Sequence, residues 1–157
     1  MYLLSYPDIG TRSMDTIRRN PRDNPDETAQ HVLVIDGGHF GLAVAEYLTE
    51  GARSVTLVSE TKPTGVADEV TLIQRTLSDA DDVRALASEV TDIDIIVVVG
   101  SDSEALLLGY LARHEFDPRD VVAGISNPAN EAAFEGTGMD VIDMPRLFAE
   151  RIRSGYE

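Results

Sequence analysis

At 157 residues with 43% hydrophobic side chains, the chain supports one domain, and a chain of this length buries roughly 68–70% of its unfolded surface without covalent staples. Cysteine is absent, which excludes disulfides and thiolate metal sites; no apolar run approaches the ~20 residues that span a bilayer, so no membrane insertion is expected. The formal charge of -15 argues against nucleic-acid binding, which needs a basic stripe.

Residues 1–30 differ in character from the remainder of the chain. Tyr2, Leu3, Leu4 and Tyr6 are apolar but stop at Pro7, and the polar run NPRDNPDETAQ carries two prolines, as a linker does. A flexible or loosely docked N-terminal tail is expected here, or a start codon assigned too early. From His31 to about residue 155, strands and helices alternate in one domain. Val32 to Ile35 is an apolar strand running into a glycine turn at Gly37, Gly38 and Gly41, and an amphipathic helix then runs to Gly51. Val55 to Val58 is the second strand, TKPTG (61–65) a loop, and Val70 to Gln74 a short third strand. Ser78 suits the N-cap of a helix from Asp79 to about Val90, with Asp81 and Asp82 in its first turn.

The continuous β-branched run from Ile93 to Gly100 suits a strand buried on both faces, hence a parallel sheet. Ser101 or Ser103 caps a Leu/Ala-rich helix to about His114, and Val121 to Ile125 is a fifth strand. Asn127 and then Pro128 open a helix to about Glu135, closed by Gly136 and Gly138. Met139 to Ile142 is a sixth strand, and Pro145 starts a last helix to about Ser154. Parallel strands need crossover helices, so this alternation predicts a doubly wound parallel α/β sheet of Rossmann-like type, with helices on both faces.

The glycine turn is the first candidate site. The dinucleotide-binding spacing is G-x-G-x-x-G, and here the six residues are Asp36, Gly37, Gly38, His39, Phe40 and Gly41. Gly38 and Gly41 hold the second and third glycine positions; Asp36 stands at the first, and Gly37 supplies flexibility beside it. Glycine lets the backbone approach a pyrophosphate, and the helix start turns a positive dipole end toward it. The competing reading is that these glycines only let strand and helix pack closely. His39 at the helix start suits a phosphate donor or an exposed turn residue. The end of the second strand usually carries an acid that accepts ribose hydroxyls. Ser59 fills that slot with Glu60 next, and Glu60 suits either a substitute ribose ligand or an ordinary loop acid. Three scattered histidines give no metal-ligand spacing. Asp102 and Glu104 stand at the mouth of the fourth strand, where ligands sit in such sheets, and are equally normal first-turn acids. No catalytic set emerges.

In order, the segments VLVIDGGHFG, VTLVSE, LSDADDVRALA, DIDIIVVVGSDSEALLLGYLAR and VVAGISNPANEAAFEGTGMDVIDMPRLFAERI resemble the nucleotide-binding N-terminal domain of potassium-transport regulators, the Trk-type (TrkA-N) or RCK N domain. The resemblance implies binding of NAD(H) or an adenine nucleotide, and regulation of a potassium transporter's membrane subunit, or of another RCK-type protein, through dimers or rings. The departures cluster at the ligand crevice. Besides Asp36 and Ser59, Arg75-Thr76-Leu77 replaces a Gly-Asp-Ala, Ala105 an asparagine and Gly124 a basic residue. That pattern implies an altered nucleotide site, and with it a second reading: a degenerate domain that binds no cofactor and serves as an interaction module, through a homodimer face on the last helix (Leu147, Phe148, Ile152). A small NAD(P)-dependent oxidoreductase is the third reading, disfavoured because no proton donor is evident and Lys62 is the only lysine. The acid-rich surface, with arginine in place of lysine, points to a cytoplasm of very high salt, where screening mutes self-repulsion. An acidic surface for a basic partner is the rival explanation. The absence of a signal-peptide pattern fits a cytoplasmic setting.

Overall fold

The computed structural model describes residues 30–35 and 38–155. The expected tail, apart from Gln30, lies outside the described residues, as do Asp36 and Gly37 of the glycine turn. Six strands, β1 (His31–Ile35), β2 (Ser54–Ser59), β3 (Val70–Gln74), β4 (Ile95–Val98), β5 (Asp120–Ile125) and β6 (Asp140–Asp143), form one sheet in the order β3-β2-β1-β4-β5-β6. Every neighbouring pair is parallel, with Ile35 beside both Val58 and Val98. The doubly wound α/β architecture expected from the alternation is therefore the one observed.

Burial on two sides explains why these strands read as unbroken apolar runs. Leu33, Ile35, Ile96, Val98, Val121 and Ala123 point to one face, where α2 (Ala80–Glu89) contributes Val83 and Leu86 and α3 (Asp102–Phe116) contributes Ala105 and Ala112. Val32, Val34, Val55 and Leu57 point to the other, packed by Ala45, Leu42 and Leu48 of α1 (His39–Leu48). No helix joins β2 to β3; residues 60–69 form a loop whose Val66 packs on the second cluster.

Local signals decide the helix ends. The cap of α2 is Asp79, not Ser78: the Asp79 carboxylate accepts from the Asp82 N–H, while the Ser78 N–H donates to Asp82 Oδ2 at 2.8 Å. The carboxylate is the stronger acceptor, so the cap falls one residue later than the serine suggested. Ser101 caps α3 in a reciprocal box with Glu104. The expected helix after Asn127 is a 3-10 segment, Pro128–Phe134, whose one buried side chain is Phe134. Pro128 withholds an N–H, and a single anchor over so short a segment leaves i→i+3 bonds such as Asn130 N–H to Asn127 O at 2.9 Å. The last helix, α4 (Met144–Gly155), buries no residue and leaves Phe148 70% exposed.

Candidate functional site at the switch point

β1 is where the sheet reverses its winding: β2 and β3 lie to one side, β4, β5 and β6 to the other. Chain connections diverge there and leave a crevice beyond the carboxyl ends of the strands. Gly38 forms the edge of that crevice as the N-cap of α1, at φ 61 and ψ -132. A side chain is strained in this conformation, yet a Cβ built there meets nothing within 4 Å, so the space beyond the turn is open. Gly41 is buried one turn on, and its lack of side chain lets α1 lie close to the sheet. His39 and Phe40 are exposed on the first turn. That turn carries no acid and no side-chain cap, so no carboxylate of α1 offsets the positive end of its dipole.

At the carboxyl ends of the strands lies a groove of about 320 Å³. Its base is Ile35, Val58 and Val99, at or just beyond the ends of β1, β2 and β4; Leu107 and Leu108 of α3 wall one side, and Leu77 the other. Glu60, Arg75, Thr76, Ser78 and Glu104 form its polar rim. Its lining is nearly half polar, and its volume stands at the lower end of the range, about 300–1,000 Å³, of small-molecule sites. Another cavity, of about 270 Å³, lies at the amino end of β2 among Thr49, Arg53, Ser54 and Glu69. That is the wrong end of a parallel sheet for ligand chemistry.

Of the two residues weighed for the ribose slot, the groove takes Glu60. Ser59 is 3% exposed and does not line it, and its hydroxyl has no hydrogen-bond partner among the described residues. The Ser59 carbonyl accepts the Arg75 N–H at 2.9 Å, which brings Arg75 directly beside the end of β2. Glu60 accepts the Thr76 hydroxyl at 3.4 Å. The Arg75 guanidinium turns to α2 and donates twice to Glu89, at 2.6 and 3.0 Å. The Arg75 hydrogen bond holds the Glu89 carboxyl below its ordinary pKa, and the reciprocal bond raises Arg75.

On the far flank, Asp102 is a latch rather than a plain first-turn acid. Its carboxylate accepts the Ser126 N–H (2.8 Å), the Asn127 N–H (2.9 Å), the Ser126 hydroxyl (3.2 Å) and the Asn130 amide (2.8 Å). Burial pushes its pKa up, but these bonds together outweigh burial and leave it below the ordinary carboxylate value. Ala105 is fully buried, and a Cβ at Gly124 would sit 3.2 Å from the Met144 sulfur. Both places where the resemblance led one to look for polar ligands are thus packing positions. The Asp102 latch and the Arg75–Glu89 pair were not foreseen. The S-x-x-E cap beside an Asn-Pro turn was the only hint of the former, and nothing in the residue pattern marked the latter. Neither Lys62 nor the exposed Tyr47 and Tyr110 lines the groove.

A parallel sheet wound 3-2-1-4-5-6, with a glycine-opened helix start at its switch point, defines the doubly wound Rossmann class of fold. Within that class the chain belongs to the TrkA-N domain family, whose model matches residues 32–145. It is 29% identical over 129 residues to the Trk system potassium uptake protein TrkA homolog of Methanothermobacter thermautotrophicus, covering 80% of this chain and 57% of that protein. A match to the Trk system potassium uptake protein TrkA of Mycobacterium tuberculosis is 30% identical, covering 77% of this chain and again 57% of the relative. The chain thus spans little more than half the length of these curated relatives. The TrkA-N domain of the Escherichia coli inner membrane protein ybaL superposes with a TM-score of 0.64 at 15% identity, covering 82% of this chain and 98% of that one. The GsuK channel bound to NAD superposes at 0.60 with 17% identity, covering 91% of this chain and 26% of the channel. At such identities the structural likenesses establish the fold.

Proposed function

We propose that residues 31–155 form one regulatory sensor domain that binds NAD(H) or an adenine nucleotide and signals to the membrane subunit of a potassium transporter. One observation carries the reading: Ile35, the last residue of β1, lines the groove, and the glycine turn follows from the same strand end. The pyrophosphate lies against the backbone of Gly37, Gly38 and Gly41, with His39 and Phe40 flanking it, and the adenosine enters the groove. Glu60 meets the ribose, and Ser59 shapes the strand end behind it. Family membership and the potassium-uptake relatives support the regulatory role, and the GsuK channel bound to NAD supports the ligand class. The role is binding without catalysis. The domain works as a homodimer in a high-salt cytoplasm. Isothermal titration with NADH and with ATP at molar salt tests it. Micromolar binding of either is expected, and silence for both overturns it.

A second reading has its own observation. α4 buries no residue and exposes Leu147, Phe148 and Ile152 along its length. An interaction module without ligand would use that face. It requires a stable dimer by light scattering that is indifferent to every nucleotide.

A further inference from the structure

The two faces of the sheet are sealed unequally. On the first, α2 and α3 pack over the strands, and Ile96, Val121 and Ala123 are fully buried. On the second, the core cluster takes its helix side chains from α1 alone, through Leu42, Ala45 and Leu48. α1 packs on β1 and β2, and α4 on β6, which leaves β4 and β5 between them. Strand register sets Val34, Val97, Val122 and Asp140 in one row across β1, β4, β5 and β6. Val97 and Asp140 are half-buried, as is Ile142 two residues further along β6, and Val122 keeps 8% exposure where Val121 beside it has none. Strands of a parallel sheet are normally covered on both sides, and β4 and β5 have the composition of covered strands. Over Val97 and Val122 that cover is incomplete among the described residues.

The chain carries the missing apolar surface in its own N-terminal segment, which lies outside the described residues. Tyr2, Leu3, Leu4 and Tyr6 place four large apolar side chains within five positions. Behind them, Arg12, Arg18, Arg19 and Arg22 outnumber Asp8 and Asp15. That positive stretch, in a chain of formal charge -15, complements the Asp140 end of the row. The segment joins the fold at Gln30, just before β1, whose neighbour is β4. From there to Tyr6 the chain reaches up to roughly 75 Å when extended, and β5 is only about 10 Å from β1. A tether of this kind gives an effective concentration on the order of millimolar, which favours the segment over a second copy at lower concentration. We propose that residues 2–6 dock across β4 and β5 on the second face, over Val97 and Val122, and complete the cover that α1 begins.

The chain has no cysteine, so Ser5→Cys gives a single attachment point for a nitroxide within the docking segment and spares its apolar side chains. Methyl NMR on the full chain reads the result. The Val97, Val122 and Ile142 signals should be lost with the label oxidised and return on its reduction. Those of Val83 and Leu86, on the opposite face, should persist. Adding Leu3→Glu should restore the lost signals, because an unpaired charge is costly to bury on an apolar row. Both substitutions fall outside the described strands and helices, and circular dichroism verifies that the fold is kept. No signal loss, equal loss on both faces, or loss that survives Leu3→Glu overturns the proposal. A mixture of isotope-labelled chain without nitroxide and unlabelled chain with it separates the other occupant. Loss in that mixture means a second copy covers the face and overturns the proposal; intact signals there support it.

Discussion

The two flanks of the crevice are built on opposite principles. On the β4–β5 flank the protein satisfies its own polar groups. Asp102 gathers two backbone N–H groups, a hydroxyl and an amide, and Ser101 and Glu104 cap α3 reciprocally. On the β1–β2 flank the strand ends line a groove of mixed aliphatic and polar character. The Ser59 hydroxyl is buried without a partner among the described residues, and aliphatic Ile35, Val58, Leu77, Val99, Leu107 and Leu108 share the groove lining with five polar residues. Buried polar groups are normally satisfied, and the unmet Ser59 hydroxyl sets this flank apart from the other. One flank holds the fold together, and on the proposed function the other would hold the ligand.

Substitutions should separate these roles. The largest effect is expected from Gly38→Val. The residue sits where only glycine is at ease, so about 1–3 kcal/mol of strain results. The new side chain also projects into the open corner, and NADH affinity should fall by more than about tenfold. Calorimetry reads the second effect, and unchanged affinity would mean the turn does not touch the ligand. Next comes Asp102→Ala, which strips partners from Ser126, Asn127 and Asn130. A loss of about 1–2 kcal/mol in urea unfolding is expected, with NADH affinity held within about twofold. A large affinity loss would merge the two flanks.

Acid should act on the bonded flank as well. The Asp102 pKa is lowered in the fold, so its contribution is complete above the ordinary carboxylate value of about 4. It is lost as the pH falls below that value and through the folded one. Asp102→Asn should flatten the acid limb of the stability curve, and an unaltered limb would remove Asp102 as its source. The smallest effect on stability, within about 0.5 kcal/mol, is expected from Phe148→Glu, since Phe148 is 70% exposed. Light scattering on that variant should nonetheless show a dimer reverting to monomer if α4 forms the contact.

The same division governs what could be read in advance. The parallel sheet was legible because its strands are β-branched runs, and Val70 to Gln74 matches β3 residue for residue. The positions of the α1 start and of the β2 end were also legible, since glycines and a strand end have fixed spacing along the chain. Local competition blurred the rest. Ser78 and Asp79 are both good caps, and only the Asp82 contacts choose between them. The 3-10 segment shares its opening signals with an α-helix and differs in having one anchor, Phe134. The bonded flank stayed hidden because Asp102 acts on residues 24 to 28 positions away, as Arg75 acts across fourteen. Such pairings depend on the tertiary path, which periodicity does not encode.

The most direct measurement is a calorimetric titration of the chain with NADH, and separately with ATP, in molar salt. The account predicts saturable micromolar binding of at least one of them, abolished in Gly38→Val. A folded chain that gives no heat with either nucleotide would contradict it and leave only the scaffold and its exposed last helix.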